Sequence, residues 1–407
     1  MNEKLEFIAN NIYRNYMTDI WFPEMHEPIY SKRQLLVGRD PDGNNVFLDL
    51  HEALRILVLG ATRSGKTFLC RAMCDRLFAS GNKVAILTDL KNEFRLSSKP
   101  VQPKFQYLLN EYEKPTPLPM KVYTPLFILN HTRRRKVENM IRCQINFDKL
   151  TLADLMTLLS IDPRDIAKID VLTSFFHEFQ GQWINFPTIY DWLEKKSMNY
   201  NTRKGLTNSF KTLEHFEVLG DQFPVDFVSD IADNKVPCLD LMGYEDLGRD
   251  TFGYPQAYIS IILRDLTSAK RTRQIKGRLF ILIDELARFC PQMGEPSCKR
   301  EILEANDLTA GFNINFIYSN QTATSIPASI LEQSRYIFIP SVAGETLIKQ
   351  VMREKTLWEW RPGFYNKIVR EFSQMSRYQW MLIDSVEHET VRLNIYGPLS
   401  YHKETEK

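Results

Sequence analysis

Eight consecutive residues, Gly60-Ala61-Thr62-Arg63-Ser64-Gly65-Lys66-Thr67, carry the spacing G-x-x-x-x-G-K-[ST]. Phosphate oxygens need several donors converging on them. A glycine-rich loop that opens a helix supplies backbone N–H groups and the positive end of the helix dipole. The pattern predicts that residues 60–67 cradle the phosphates of ATP, with Lys66 reaching the β- and γ-phosphates and the Thr67 hydroxyl on Mg²⁺. A second group of residues, Leu279-Phe280-Ile281-Leu282-Ile283-Asp284-Glu285, ends five apolar residues on two carboxylates. Such a run predicts a strand buried on both faces, ending at the edge where open α/β sheets bind ligands. Asp284 is expected to hold the Mg²⁺ shell through water, and Glu285 to polarise an attacking water as general base.

Other residues add to this pair. A strand at Ile314–Ser319 is expected to end at Asn320-Gln321, and the Gln321 amide, which both donates and accepts, can sense a γ-phosphate or place a water. The segment Asp89-Leu90-Lys91-Asn92-Glu93 follows another strand and is expected to support the same face. Two basic groups stand out: Arg133-Arg134-Arg135-Lys136, and the run Lys270, Arg271, Arg273, Lys276, Arg278. Either is a solvated face or a contact for nucleic-acid phosphates. The six cysteines and seven histidines show no zinc-ligand spacing, and no metal beyond Mg²⁺ is expected.

These residues need a scaffold that brings them together. Strand signals at Arg55–Leu59 and Val84–Thr88 flank a helical segment, Lys66 to Ala79, with the spacing of a βαβ unit. Before them, Gln34–Val37 and Val46–Leu50 are joined by Asp40-Pro41-Asp42-Gly43, turn chemistry that predicts a hairpin. Leu5, Ile8, Ile12 and Tyr16 predict an amphipathic N-terminal helix. A short strand is expected at Lys121–Thr124. From about 130 to 225 the apolar residues keep helical spacing and no strand is expected, which predicts a helical insertion. Strands resume at Val236–Leu241, Leu279–Ile283, Ile314–Ser319, Tyr336–Pro340, Tyr378–Ile383 and Val391–Ile395, with helices near 257–269 and 299–307. The expected division is a helical arm (1–30), a first α/β part (31–129), the insertion (130–225), a second α/β part (226–397) and a frayed tail (398–407).

With 43% apolar and 25% charged residues, the 407-residue chain can bury a core, which excludes a disordered or fibrous protein. Its 52 basic and 50 acidic residues exclude a strongly basic coat protein but not a local basic lining. Glu3 and Glu6 do not suit a secretory leader. The long uncharged stretch from Gly311 to Leu331 contains Asn313, Asn315, Asn320 and Gln321, unlike a membrane span. A cytoplasmic chain is expected.

Taken in order, GATRSGKT, ILTDLKNEF, VPCLDL, LFILIDELARF and INFIYSNQ resemble the HerA–FtsK superfamily of P-loop ATPases, over roughly residues 35 to 397. Arg63 is similar to the phosphate loops of conjugative coupling proteins. The resemblance implies a RecA-like α/β fold with a central, mostly parallel sheet and an inserted all-helical domain. It further implies a homo-hexameric ring that hydrolyses ATP at subunit interfaces and pumps double-stranded DNA, independently of sequence, through its pore, with a nuclease, a portal or a membrane transfer complex as partner. Members often carry a Gly-Arg finger before the sensor strand, where this chain reads Asp307-Leu308-Thr309-Ala310-Gly311. Arg300 is therefore nominated as the trans-acting arginine, with Arg335 second and Arg63 third. Three other classes stay open: a secretion- or pilus-type ATPase that moves protein, a nucleotide-dependent scaffold with little hydrolysis, and a small-molecule kinase, against which Glu285 argues.

Overall fold

The structure is a computed structural model that describes residues 30–132, 140–182, 184–248, 251–354, 363–376 and 378–401. The helix expected in the first twenty residues, the basic cluster at 133–136 and the last six residues lie outside them. Among the described residues, no helix is long and apolar enough to cross a membrane.

The described strands are β1 (Gln34–Arg39), β2 (Asn45–Asp49), β3 (Arg55–Leu59), β4 (Lys83–Asp89), β5 (Met120–Pro125), β6 (Met140–Cys143), β7 (Val236–Asp240), β8 (Leu279–Ile283), β9 (Ile314–Asn320), β10 (Tyr336–Pro340), β11 (Trp380–Asp384) and β12 (Glu389–Ile395). They form one sheet in the order β2-β1-β12-β11-β10-β3-β9-β8-β4-β7-β5-β6. The eight strands from β10 to β6 are parallel, and the four beyond β10 run antiparallel. Burial on both faces explains why the central strands read as unbroken apolar runs. In β3, Ile56 and Val58 pack with Leu69, Met73 and Leu77 of the helix Lys66–Ala79 on one face. Leu57 and Leu59 face the opposite cluster, which holds most other helices.

The hairpin forms as expected, with Gly43 at φ 90° and Asp40 accepting from the Asn44 backbone N–H at 2.8 Å. Most other strands fall within two residues of their expected limits. The stretch from 130 to 225, expected to lack strands, contains β6, which pairs with β5 at the sheet edge. At four residues, only one of them buried, it is too short to show alternation. Helices Leu152–Leu158, Ile166–Phe179, Phe186–Lys195 and Tyr200–His215 follow it, the last three capped by Asp165, Asn185 and Asn199. Phe175 lies 5.0 Å from Trp192 and 5.8 Å from Phe210 between ring centroids. These rings belong to the same apolar cluster as Leu57, Ala85 and Leu239 of the sheet. The helical stretch thus shares the sheet's core.

Of the tail expected at 398–407, residues 398–401 are described, and they are anchored. Leu399 and Ser400 are buried, and Ser400 N–H donates to Asp75 Oδ2 at 2.8 Å while Arg71 donates to the Tyr401 carbonyl. Backbone bonds Val101 N to Leu399 O (3.1 Å) and Tyr401 N to Lys99 O (2.7 Å) stitch this segment over the Lys66–Ala79 helix. The same side of that helix holds a buried bidentate pair: Arg76 donates to both oxygens of Glu113 at 2.7 and 2.6 Å. Both side chains are essentially inaccessible to solvent.

Removing one member of such a pair leaves a buried charge without its partner. Glu113→Gln is expected to destabilise the fold by about 3–5 kcal/mol, read as a lower denaturant midpoint. Arg76→Met combined with Glu113→Leu should recover most of that loss, because no unpaired charge then remains buried.

Candidate functional site

The phosphate loop leaves β3 at Leu59 and enters its helix at Lys66. Three backbone features shape it. Gly60 has φ 148° and donates its N–H to the Asn320 carbonyl at 3.2 Å. A Cβ there would stand 2.7 Å from Pro340 Cγ and from Ser64 Oγ. Gly65 caps the helix in the left-handed region at φ 92°, and Arg63, a residue with a side chain, also takes a positive φ of 65°. Ala61, Thr62 and Arg63 are exposed, and Thr67 is half-buried at the start of the helix.

Lys66 is only 4% exposed. Its ammonium donates to the loop's own carbonyls, Gly60 O at 2.7 Å and Ala61 O at 3.2 Å. Burial pulls its pKa below the ordinary lysine range, opposed by the carboxylates of Glu285 and Asp284. Those carboxylates stand on the neighbouring part of the sheet. β9 separates β3 from β8, so the loop and the Asp284-Glu285 pair face each other across one strand. The residues at the end of β9 fill the space between them.

Asp284 is buried and its position is fixed from both sides. The Thr88 hydroxyl of β4 accepts from the Asp284 N–H at 2.6 Å and donates to its carbonyl at 2.9 Å. From β9, Ser319 donates its hydroxyl to Asp284 Oδ1. Burial pushes the Asp284 carboxyl up, while Ser319 and Lys91 pull it back. Glu285 follows in the left-handed region at φ 51°, ψ 52°, an uncommon conformation for a residue with a side chain. One of its oxygens accepts from Lys91 Nζ at 3.4 Å and the other from Gln321 Nε2 at 3.2 Å. Lys91 and Gln321 thus clasp Glu285 from either side.

The sequence reading named the Asp89–Glu93 segment only as a support. Asp89 accepts from the backbone N–H of Glu93 and Phe94 at 2.9 and 3.1 Å, and this turn delivers Lys91 to Glu285. Burial, with the adjacent Asp240 carboxylate, pushes the Asp89 carboxyl up. Thr88 and Ser319 were missed. Their signal was a hydroxyl just before the polar end of an otherwise apolar strand. Asn320 is tied into its own turn, accepting from Ala287 N–H at 3.1 Å and donating to the Thr322 carbonyl and Ser325 hydroxyl at 2.7 Å each.

The three nominated arginines are placed very differently. Arg300 is exposed on the helix Ser297–Asp307 and, among the described residues, pairs only with Glu301 and Glu304 of that helix at 3.3 and 3.5 Å. That helix packs on the sheet face opposite the phosphate-loop helix. Arg335 directly precedes β10 beside the first residues of β3, far from the loop, and its guanidinium pairs with Asp384 and Asp49 at 3.3 and 3.7 Å. Arg63 is on the loop itself.

The residues present fit a nucleoside triphosphate with a divalent cation. Among the described residues the buried Ser64 hydroxyl has no hydrogen-bond partner, and a side chain at Gly60 would fill the cradle. Lys66 is satisfied only by carbonyls, and a buried carboxylate faces it. Gly60→Ala is expected to weaken binding of a fluorescent ATP analogue at least about tenfold without unfolding the chain, because the added methyl displaces the loop against Pro340. A titration checks this.

Residues 36–254, more than half of the chain, match the family described as the central domain of the helicase HerA. A search of curated proteins finds no match. Among solved structures, VirB4 of Thermoanaerobacter pseudethanolicus is similar with a TM-score of 0.58 at 14% identity, covering 91% of this chain and 98% of that one. The bacterial conjugative coupling protein TrwB is similar with a TM-score of 0.50 at 14% identity, covering 90% of each chain. These likenesses share the RecA-like fold of a mostly parallel sheet flanked by helices. With its complete phosphate loop and the paired carboxylates one strand away, the chain belongs to the HerA central-domain family and is a P-loop ATPase of the HerA–FtsK type.

Proposed function

We propose that the protein is an ATP-driven translocase of double-stranded DNA that works as a homo-hexameric ring, with ATP hydrolysed between neighbouring subunits. The observation that carries this reading is the clasped Glu285, one strand away from a complete phosphate loop, in a chain of a helicase family. A helicase acts on nucleic acid, and the likeness to a conjugative coupling protein supports a role in transfer. A nuclease, a portal or a membrane transfer complex would be the partner that such a motor serves.

In this reading residues 60–67 hold the triphosphate, and Lys66 exchanges its carbonyl partners for phosphate oxygens. Thr67 and Asp284 would hold Mg²⁺, which neutralises phosphate charge when bound. Glu285 takes a proton from the attacking water. Its left-handed backbone turns the carboxylate out of the strand, and Lys91 and Gln321 fix the direction in which it points. Gln321 keeps its carbonyl oxygen free to align the water. Arg300 acts in trans: it projects from the sheet face that its own phosphate loop does not occupy.

DNA should raise the rate of ATP hydrolysis several-fold in a coupled assay. A rate that DNA leaves unchanged and an unfolded protein substrate raises would instead favour a protein-moving ATPase. Glu285→Gln should retain nucleotide binding and slow hydrolysis by about 10² to 10⁴, the usual contribution of a general base.

The arginine has its own test. Arg300→Ala and Lys66→Ala subunits should each be inactive alone, and mixing them should restore part of the activity, because some interfaces then join an intact arginine to an intact loop. Mixed assemblies that form yet stay inactive would remove Arg300 from this role.

A further inference from the structure

Several of the parallel strands begin on or just after a cation. Arg55 opens β3 and Lys83 opens β4, while Arg278 directly precedes β8 and Lys235 directly precedes β7. Because β3, β9, β8, β4 and β7 are parallel neighbours, these positions lie along one edge of the sheet. That edge is opposite to the one carrying Asp89, Asp240, Asp284 and Glu285. Strands about 4.8 Å apart make it roughly 20 Å wide.

Remote segments enlarge this basic edge. The Lys32 side chain crosses Gly81, with its Cε 3.1 Å from where a Cβ on Gly81 would stand, two residues before Lys83. Arg33 lies close enough for its charge to bear on Arg278. The run between 270 and 278, noted in the sequence, divides in the fold. Lys270 is buried and donates to the Gly277 carbonyl, a structural strap. Arg271 lies over the Phe312 ring at 5.6 Å, and Arg271, Arg273 and Lys276 are exposed.

Some of these charges are already engaged. Arg55 is tied to Asn306, and Lys235 to Asp233 and Asp230. Lys83 and Arg278 are hydrogen-bonded, to Asn234 Oδ1 at 3.1 Å and to the His51 carbonyl at 2.9 Å, but among the described residues Lys32, Arg33, Lys83, Arg271, Arg273, Lys276 and Arg278 form no ion pair. Acids on this edge offset them in part, and the Asp49 charge bears on Arg278. Asp49 pairs with His51 and Arg335, Asp233 with Lys235, and Glu52 is exposed. An excess of positive charge of this kind opposes folding through self-repulsion and attracts a polyanion.

The polyanion that fits is a nucleic-acid backbone. A surface that docks on anionic lipid carries exposed apolar side chains among its cations. None of the exposed large apolar side chains described belongs to residues 31–33, 81–83 or 270–278. We propose that this amino-terminal edge of the sheet is a contact surface for nucleic-acid phosphates, independent of base sequence. The proposal rests on the DNA reading above and assigns it a location that one stretch of sequence does not contain.

The test uses the full chain and a fluorescently labelled 40-base-pair duplex of arbitrary sequence, with anisotropy followed across a salt series. Lys32→Ala with Arg33→Ala should flatten the plot of log K against log salt. Arg271→Ala, Arg273→Ala and Lys276→Ala together should flatten it further, the slope falling by about 0.9 for every phosphate that is no longer neutralised. Lys204→Ala with Lys211→Ala, exposed on the helical insertion, should leave the slope unchanged. If the parent chain binds duplex and both edge variants keep its slope, the surface is wrong while the DNA reading stands. If the parent chain binds no DNA, that reading falls and the surface with it. Loss of binding to phosphatidylserine vesicles in the edge variants, with DNA binding intact, would assign the edge to a membrane and overturn the proposal.

Discussion

A buried ammonium and two buried carboxylates must share the end of one sheet in this protein, and most of the structure serves that requirement. Lys66, Asp284 and Glu285 are each about 95% or more withdrawn from solvent. Isolated in an apolar interior, any of them would cost several kcal/mol. Burial accordingly pulls Lys66 down and pushes Asp284 up. What makes the arrangement tolerable is a set of short polar contacts at strand ends: loop carbonyls on Lys66, Ser319 on Asp284, Lys91 and Gln321 on Glu285. They come from the ends of three strands, β3, β4 and β9, so the site exists only when β3, β9, β8 and β4 lie side by side.

The same logic runs through the support of the phosphate-loop helix. Its sheet-facing side packs on apolar residues, but the other side meets Arg76–Glu113, Asp75 and the segment 396–401. A buried ion pair is weak evidence of stability in itself. Here it joins the helix to residues 99–118, over which the C-terminal segment is stitched. The helix that presents Lys66 and Thr67 is thereby clamped from the side that the sheet does not reach. Charge also organises the sheet as a whole, with acids gathered where the parallel strands end and bases where they begin. An even overall balance of 52 basic and 50 acidic residues conceals that separation.

Much of the site could be read from the chain because its parts are local. A phosphate loop needs its glycines, lysine and threonine within eight residues, and a buried strand ending in Asp-Glu is visible as a run. The unlike case is β6, whose four residues, only one of them buried, leave no periodic trace. The helices Ala328–Gln333, Gly344–Glu354 and Phe364–Ser373 between β9 and β11 also carried no expectation. The C-terminal segment looked like a tail because its anchors, Asp75, Lys99 and Arg71, are hundreds of residues away in sequence.

The phosphate loop, the carboxylate pair, the strand–helix alternation and the family resemblance are all legible in the chain, since each depends on residue type at short spacing. The folded arrangement places β9 between loop and carboxylates, brings Thr88 and Ser319 onto Asp284, and sets Lys91 and Gln321 against Glu285. It also separated Arg335, bound to Asp384, from the exposed Arg300, and gathered Lys32 and Lys83 beside Arg278. Strand order is set by packing among all elements at once, and contacts across it join residues whose separation along the chain carries no signal.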